Sequence, residues 1–228
     1  MANPVAVVDA ILFDMDGTLI DSTLGVLNAW ARFSIDYNLG NHMAVVHETH
    51  GRRLYDTLKE YCKITDEDKI QSEIDRFEEL VLEGGLVALP GAMALTEQLE
   101  RVAPSRWTIV TSASNKYAPR AIQAAGLPKP TVGIITSNDV QCGKPHPEPY
   151  LAGAQKCGVD PAKCLVVEDA ISGLKSGKAA GATTLGVCTS TERRLLVASD
   201  ANPDVVVEDL TRLSVQLVDG RLEISVSD

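Results

Sequence analysis

The chain has 228 residues, of which 45% are apolar, and its net charge is −10 at neutral pH. A chain of this length can bury a sizeable core and suits one large domain or a core with an insertion. The negative charge and the lack of a Lys/Arg-rich run argue against nucleic acid or an anionic membrane as the main partner. No run approaches the ~18 apolar residues of a membrane span, and residues 1–10 lack a signal-peptide pattern. These features predict a cytoplasmic protein, which we expect to be a monomer.

The five cysteines are odd in number and include no C-x-x-C pair. This pattern predicts reduced, mostly buried thiols rather than a disulfide framework. None of the five lies in a recognisable nucleophile motif, so a catalytic thiol is not expected.

The first predicted element is a buried β-strand over residues 5–13, which are mostly β-branched or aliphatic. The strand is followed by Asp14, Asp16 and Gly17. Two neighbouring carboxylates repel each other and resist burial, and a bound cation is the usual remedy. The bare Asp-x-Asp-Gly pattern is also ordinary turn chemistry. A calcium loop is excluded because its twelfth position, counted from Asp14, is Gly25 instead of glutamate.

Helical spacing dominates the segment after this strand. Ser22 occupies an N-cap position before a first helix, and further helices are predicted over 53–61 and 66–82. No strand-like run interrupts these helices. We therefore expect residues 20–87 to form a helical cap domain, called the cap segment below.

From residue 88 onward, short apolar strands alternate with helices that end at glycines. The strands are predicted over 107–110, 132–135, 164–167, 184–187 and 205–207, and the helices over 92–101, 117–125, 150–157 and 171–180. This alternation indicates βαβ crossovers and a parallel sheet covered on both faces. We predict an α/β fold in which residues 1–19 and 88–228 form a doubly wound parallel-sheet core, with the helical cap domain inserted after the first strand. A hairpin around Asp219-Gly220 is expected at an edge of the sheet.

Polar groups follow four of the predicted strands. In a doubly wound sheet, ligands bind beyond the carboxyl ends of the strands, so these groups should meet at one edge. They are Asp14 and Asp16, the hydroxyl-rich segment 111–114, Lys144, and the pair Glu168-Asp169. Each has an ordinary explanation alone, such as a turn or a solvated lysine. Together they supply two carboxylate pairs, hydroxyl and amide donors suited to phosphate oxygens, and a fixed cation, which indicates an active site.

These four segments resemble the motifs of the haloacid dehalogenase superfamily of phosphatases, at Asp14-x-Asp16, Ser112, Lys144 and Glu168-Asp169. The cap segment resembles that of the subgroup containing β-phosphoglucomutase and small sugar-phosphate phosphatases. Residues 143–150, 167–170 and 50–53 are similar to the corresponding segments of glycerol-3-phosphate and 2-deoxyglucose-6-phosphate phosphatases.

The resemblance implies Mg²⁺-dependent hydrolysis of a small phosphomonoester through an aspartyl-phosphate. Asp14 would be the nucleophile, and Asp16 would serve as general acid and then general base. Lys144 would neutralise phosphate charge, while Ser112 and the Ala113 amide would bind the transferring phosphoryl oxygens. The Mg²⁺ ligands would be the carboxylates of Asp14 and Asp169 and the backbone carbonyl of Asp16, with Glu168 supporting them or ligating in its own right.

The cap segment would contact the rest of the substrate, for which a sugar or polyol phosphate is the leading class. Arg53 suits a second polar or anionic group of the substrate, and His50 is the other main candidate. His47, Arg52 and Asp56 are further candidates. A solvated helix face explains all of these candidates except Arg53 equally well.

Other functions stay open from the sequence. A phosphomutase is one, because Ala113 stands where the glycerol and deoxysugar phosphatases more often carry glycine, although Gly17-Thr18 is more typical of the phosphatases. A phosphatase acting on an apolar phosphate, such as an isoprenoid phosphate, is another, because a cap pocket lined by Leu, Met and Trp would accept it. A binding protein that retains only the fold is disfavoured because all four motifs are intact.

Overall fold

The computed structural model describes residues 4–227, and the outermost residues of the predicted core, 1–3 and 228, lie outside this description. The β-strands are β1 Ala6–Val8, β2 Ala10–Phe13, β3 Ile20–Asp21, β4 Val87–Ala88, β5 Trp107–Val110, β6 Ile134–Ile135, β7 Cys164–Glu168, β8 Thr183–Val187, β9 Val205–Val207, β10 Leu213–Val218 and β11 Arg221–Val226. The α-helices are α1 Thr23–Asp36, α2 His42–Thr49, α3 Leu54–Tyr61, α4 Glu67–Glu83, α5 Ala92–Val102, α6 Ala118–Ala124, α7 Glu148–Cys157, α8 Ile171–Ala179 and α9 Arg193–Ala198.

Six parallel strands form the central sheet in the order β6-β5-β2-β7-β8-β9. The four residues of β2 are all buried, as expected for a strand covered on both faces. The predicted doubly wound α/β fold is confirmed. Chain order reverses between β2 and β7, and such a switch point leaves a crevice beyond the strand ends where ligands bind.

The predicted first strand is wrong in one respect, because residues 5–13 form two strands in different sheets. β2 lies in the central sheet, whereas β1 pairs antiparallel with β11. The predicted β10–β11 hairpin turns through Asp219 and Gly220, both with positive φ. It does not lie at an edge of the central sheet, as was expected, but forms a separate three-stranded sheet with β1. Val5 and Val7 remain exposed, whereas every residue of β2 is buried. The break thus separates an outer strand from a core strand.

Four helices, α1 to α4, lie between the short strands β3 and β4, which pair with each other antiparallel. Their core includes edge-to-face aromatic contacts of Phe77 with Trp30 and Phe33, at 5.0 and 5.2 Å between ring centroids. The Asp66 side chain accepts a hydrogen bond from the Lys69 amide and so caps the N-terminus of α4. Ser22 occupies the N-cap position of α1, but its side chain makes no capping hydrogen bond. The domain boundaries at 20 and 87 stay a prediction.

Two helices were not predicted, α2 and α9, because the apolar residues of each are consecutive, at 43–46 and 195–198, and form no stripe at helical spacing. Within α2 only Val45 and Thr49 are buried, and within α9 only Leu196.

The prediction of mostly buried cysteines is also wrong, since all five are free but only Cys164 is buried. Among residues 4–227, no helix combines the length and the apolarity needed to cross a bilayer.

Candidate active site

The ends of β2 and β7 bring three buried carboxylates together at the switch point of the sheet. Oxygen atoms of Asp14, Glu168 and Asp169 all lie within 4.8 Å of one another. Gly17 makes this approach sterically feasible: its φ is +91°, and a Cβ atom there would lie 2.2 Å from Asp169 Oδ2. The glycine of the Asp-x-Asp-Gly pattern therefore permits both the turn and the close approach of the Asp169 carboxylate.

Lys144 lies within this cluster and is its buried cation. Its side chain is 0% exposed, and Nζ donates to Asp14 Oδ1 at 2.6 Å and to Glu168 Oε1 at 2.7 Å. Burial disfavours the charged ammonium, but the two carboxylates outweigh it and raise the pKa of Lys144 above its ordinary value. Lys144 is therefore charged and held against the carboxylate of Asp14, the residue expected to be the nucleophile.

One lysine leaves this group of three carboxylates with excess negative charge. Burial, with a further contribution from Glu168, holds the pKa of Asp14 well above its usual range, and Lys144 opposes this rise only in part. Asp169 Oδ2 is buried and accepts no well-aligned hydrogen bond from the described residues. A hard divalent cation with oxygen ligands fits these observations.

Glu168 is less suited to ligation than the two aspartates. Its Oε1 accepts hydrogen bonds from Lys144 and from the Tyr150 hydroxyl at 2.9 Å, and its Oε2 accepts one from the Ala170 amide at 3.0 Å. Both oxygens are thus already bound. The carboxylate of Asp16 is not part of the cluster, in line with the expectation that Asp16 would ligate through its backbone carbonyl.

His50, predicted to bind substrate, lies against Asp169. Its Nε2 atom is 2.9 Å from Asp169 Oδ2, which is an ion-pair distance although the alignment is not that of a hydrogen bond. Burial lowers the pKa of His50, but Asp169 outweighs this effect and raises the pKa to about 9. The next residue, Gly51, has a φ of +72°, and a Cβ atom there would approach Ser172 Oγ to 2.6 Å.

The predicted phosphate-binding groups are close to the cluster but engaged with protein atoms. The Ser112 hydroxyl donates to the Gly51 carbonyl at 2.9 Å, which ties the cap segment to the strand end after β5. The Ala113 amide donates to Thr111 Oγ1 at 3.1 Å. A phosphate bound here would replace these contacts.

Asp16 has a partner that the sequence analysis missed. The Tyr117 hydroxyl donates to Asp16 Oδ1 at 2.9 Å, and Tyr117 itself is buried. Burial raises the pKa of Asp16, while hydrogen bonds from Ser22 and Tyr117 oppose the rise. One carboxylate oxygen is thus fixed by a phenol 101 residues away in sequence.

Glu78 is a second group that the sequence analysis missed. It extends from α4 in the cap segment, is buried, and accepts hydrogen bonds from both the amide and the hydroxyl of Ser114. Ser114 Oγ in turn accepts from the Tyr117 amide at 3.2 Å. The sequence feature that could have indicated a buried role for Glu78 was its position on the apolar face of α4, beside Phe77 and one turn from Val81.

We expect Glu78→Gln to remove part of the pH dependence of stability. Burial raises the pKa of Glu78 from 4.5 to about 7, although the hydrogen bonds from Ser114 oppose the rise. Because the folded protein binds this proton more tightly than the unfolded chain, the free energy of unfolding should fall as pH rises from 4.5 to about 7. The loss reaches at most about 3 kcal/mol, at ~1.4 kcal/mol per pH unit.

Urea unfolding at about pH 5 and pH 8 measures this difference. The wild type should lose more stability between the two conditions than Glu78→Gln does. Glu79→Gln is the matched control, because Glu79 is exposed and bound to Arg120, and it should behave as the wild type. Identical pH dependence in the wild type and Glu78→Gln would contradict the prediction.

A cavity of about 440 Å³ connects these groups with the cap segment. Its lining includes Asp14, Asp16, Ser112 and Ala113 together with His47 and His50. Arg53 does not line it: its guanidinium is bound to both carboxylate oxygens of Asp56 and to the Val140 carbonyl. This arrangement does not favour the predicted contact between Arg53 and substrate.

Comparisons with known proteins agree with this geometry. Hexitol phosphatase A of Escherichia coli (strain K12) is 40% identical over 178 residues, covering 77% of this chain and 81% of the relative. Glycerol-1-phosphate phosphohydrolase 1 of Saccharomyces cerevisiae is 33% identical over 214 residues, covering 89% and 82%. A solved structure of a hydrolase from Pseudomonas syringae is 28% identical with a TM-score of 0.75, covering 88% of this chain and 93% of that chain.

A family model, haloacid dehalogenase-like hydrolase, matches residues 8–181, which is more than half of the chain. The predictions of this family and of a hydrolytic enzyme are confirmed. The matched residues include the strand ends that bring Asp14, Lys144 and Asp169 together, and the chain therefore belongs to the haloacid dehalogenase-like hydrolases.

Proposed function

We propose that the protein is a Mg²⁺-dependent phosphatase that hydrolyses a small phosphomonoester through an aspartyl-phosphate. The observation that carries this proposal is the buried cluster of Asp14, Lys144, Glu168 and Asp169 at the switch point, opening into a cavity. Relatives named as hexitol and glycerol-1-phosphate phosphatases support a sugar or polyol phosphate as the substrate class.

Hydrolysis would take place in two steps. In the first, a carboxylate oxygen of Asp14 attacks phosphorus, the bond between phosphorus and the leaving oxygen breaks, and Asp16 donates a proton to that oxygen. In the second, Asp16 takes a proton from water, whose oxygen attacks phosphorus and releases the Asp14 carboxylate. Lys144 holds Asp14 in place and offsets the charge of the approaching phosphate. Ser112 and the Ala113 amide would bind phosphoryl oxygens.

Asp14, Asp169 and the Asp16 carbonyl would hold the Mg²⁺, since these are hard oxygen donors at a cluster with more carboxylates than lysines. When bound, the ion would neutralise charge on the phosphoryl group. Glu168 would hold Lys144 in position instead of binding the metal. Residues 20–87 would act as the cap domain that covers the site and excludes water.

Phosphate release from a panel of metabolite phosphomonoesters tests the proposal. Release should require Mg²⁺, cease when EDTA is added in excess, and return when Mg²⁺ is restored. Undiminished release in EDTA would contradict the metal requirement. Isomerisation of a sugar phosphate that depends on a bisphosphate would indicate a phosphomutase instead.

Tyr117→Phe should lower kcat/KM for an alkyl phosphate by about tenfold, a part of the ~10²–10⁴-fold that general acids contribute. The Tyr117 hydroxyl orients Asp16, and an alkoxide leaving group needs the proton that Asp16 donates. p-Nitrophenolate leaves without protonation, so kcat/KM for p-nitrophenyl phosphate, which likewise reports the step that releases the leaving group, should fall much less. Tyr61→Phe, which removes a surface hydrogen bond to Glu48, is the control. Equal losses on both substrates would show that Tyr117 has only a structural role.

A further inference from the structure

Two buried polar side chains of the cap segment belong to the lining of the cavity that also contains Asp14. They are Glu78 on α4 and Trp30 on α1. Glu78 is 5% exposed and Trp30 is 3% exposed, so the surface that each retains is small. Phe77, the residue before Glu78, packs edge to face against Trp30 at 5.0 Å between ring centroids. The two groups therefore occupy neighbouring parts of the cavity wall.

The indole N–H of Trp30 donates to no acceptor among residues 4–227. It is not sealed in the core either, because the fully enclosed polar atoms without a partner do not include it. The other tryptophan differs, since Trp107 Nε1 donates to Glu100 at 2.9 Å. A buried indole N–H usually has a hydrogen-bond partner. The Trp30 N–H is therefore available to a ligand in the cavity.

Glu78 is held in place by the protein and still has free acceptor capacity. Its Oε1 accepts from the Ser114 amide at 2.7 Å, and its Oε2 accepts from the Ser114 hydroxyl. An ionised carboxylate offers about four lone-pair sites, so these two hydrogen bonds leave about half of them for a ligand. Because Ser114 fixes the carboxylate, ligand binding loses little side-chain entropy at this position.

Glu78 lies on the side of the cavity where the alcohol part of a substrate would be. Burial raises the pKa of Glu78, and the nearby carboxylate of Asp16 adds to this rise. Asp16 is the residue proposed to protonate the leaving oxygen, so the carbon atoms attached to that oxygen would extend towards the cap segment. Hydroxyl groups that donate to Glu78 would favour its charged form, which burial disfavours.

We propose that Glu78 and Trp30 form a hydroxyl-binding subsite for a sugar or polyol phosphate, in which Glu78 accepts a hydrogen bond from a substrate hydroxyl and the Trp30 N–H donates one. This inference rests on the proposed phosphatase function and specifies how its substrate class is recognised. A hydroxyl group both donates and accepts, so a polyol matches this pair of groups. An alkyl group would instead leave two buried polar groups without partners, which disfavours binding. His47 and Thr23 also line the cavity and make no side-chain hydrogen bond or ion pair among residues 4–227, so a longer polyol would meet further polar groups.

Glycerol 3-phosphate and propyl phosphate form a matched pair, since they share a three-carbon chain and differ in two hydroxyl groups. We expect kcat/KM to favour glycerol 3-phosphate by about tenfold or more, because a site built to bind hydroxyl groups rejects an analogue that lacks them. Equal values, or a preference for propyl phosphate, would overturn the inference while leaving the phosphatase function intact.

Glu78→Gln tests the acceptor, because it keeps the size of the side chain and replaces one carboxylate oxygen by an NH₂ group. The ratio of kcat/KM for glycerol 3-phosphate to that for propyl phosphate should fall about tenfold. Glu79→Gln is the matched control, since Glu79 is exposed and paired with Arg120, and it should keep the wild-type ratio. A loss of folded protein or of catalysis lowers both values equally. An unchanged ratio in Glu78→Gln would therefore overturn the role of Glu78.

Trp30→Phe tests the donor, because phenylalanine keeps an aromatic ring and lacks the N–H. The same ratio should fall about three- to tenfold. Trp107→Phe is the matched control, since Trp107 is wholly buried, is bound to Glu100 and does not line the cavity. The control should keep the wild-type ratio even if it is less stable. An unchanged ratio in Trp30→Phe would overturn the role of its N–H.

Binding separates this inference from the catalytic proposal. Phosphonates have a phosphorus–carbon bond that a phosphatase does not hydrolyse, so calorimetry with Mg²⁺ measures their affinity whether or not the enzyme turns over. The wild type should bind 3,4-dihydroxybutylphosphonate about tenfold more tightly than butylphosphonate, and Glu78→Gln should bind the two almost equally. If this difference is found but no ester is hydrolysed, the phosphatase function fails and the hydroxyl-binding subsite stands. Equal affinities in the wild type would overturn the inference.

Discussion

Asp14→Asn should abolish phosphate release, with a loss in kcat of about 10⁴-fold or more. The amide is a poor nucleophile, whereas the Asp14 carboxylate lies next to the Lys144 ammonium at the base of the cavity. The substitution preserves size, and it removes one of three mutually repelling carboxylates, so the protein should remain folded. The loss should therefore be in chemistry, and circular dichroism and urea unfolding check that the fold is intact.

Asp219→Asn is the matched control for this experiment. Asp219 lies in the β10–β11 turn with positive φ, a conformation that asparagine adopts readily, so activity and stability should be unchanged. Acid-quenched wild-type enzyme should carry a phosphoryl group on Asp14 during turnover. Phosphate release by Asp14→Asn at the wild-type rate would rule out the covalent mechanism.

Lys144→Met should destabilise the protein by about 3–5 kcal/mol, the usual loss when a buried ion pair is left with one partner. Lys144 is wholly buried between Asp14 and Glu168, and no other lysine or arginine contacts either carboxylate among the described residues. Turnover should also fall by about 10²–10³-fold, because the charge next to the phosphate is lost. Urea unfolding measures the first effect and phosphate release the second. Lys175→Met removes a pair with Asp200 on the surface, and it should cost at most about 1 kcal/mol.

A double variant separates the two roles of Lys144. Lys144→Met with Glu168→Gln removes one lysine and one carboxylate, so less unpaired charge remains buried than in Lys144→Met. The double variant should regain part of the stability, whereas its turnover should stay low because the phosphate still lacks its ammonium partner. Recovery of turnover together with stability would show that Lys144 acts only through the fold.

Alternation of short apolar strands with glycine-terminated helices was enough to predict the parallel sheet. The positions of polar residues just after four predicted strands were enough to place Asp14, Lys144 and Asp169 at one edge of the sheet, because the carboxyl ends of parallel strands lie on the same side. These inferences depend on local periodicity and on chain direction, which a sequence carries in full. The helices α2 and α9 were not predicted because their apolar residues are consecutive and so show no helical period.

The cap segment shows the limit of sequence reasoning. Arg53 and His50 were expected to contact substrate. Arg53 is held by Asp56 and does not line the cavity, whereas His50 lines it and is paired with Asp169, and both pairings depend on how the chain packs. Glu78 and Tyr117 belong to no motif, although Glu78 contacts Ser114 beyond the end of β5 and Tyr117 contacts Asp16. A side chain on a helix can face solvent, core or cavity, and spacing along the chain leaves that choice open.

The amino-acid sequence by itself determined the alternation of strands and helices in the core and the family, since these depend on periodicity and on the motifs adjacent to strand ends. Only the tertiary structure decided that residues 5–13 divide between two sheets, that Glu168 binds Lys144, and that Trp30 and Phe77 line the same cavity as Asp14. The physical reason is that these features arise from contacts between residues distant in sequence, where packing and charge pairing select one arrangement among many that the local pattern allows.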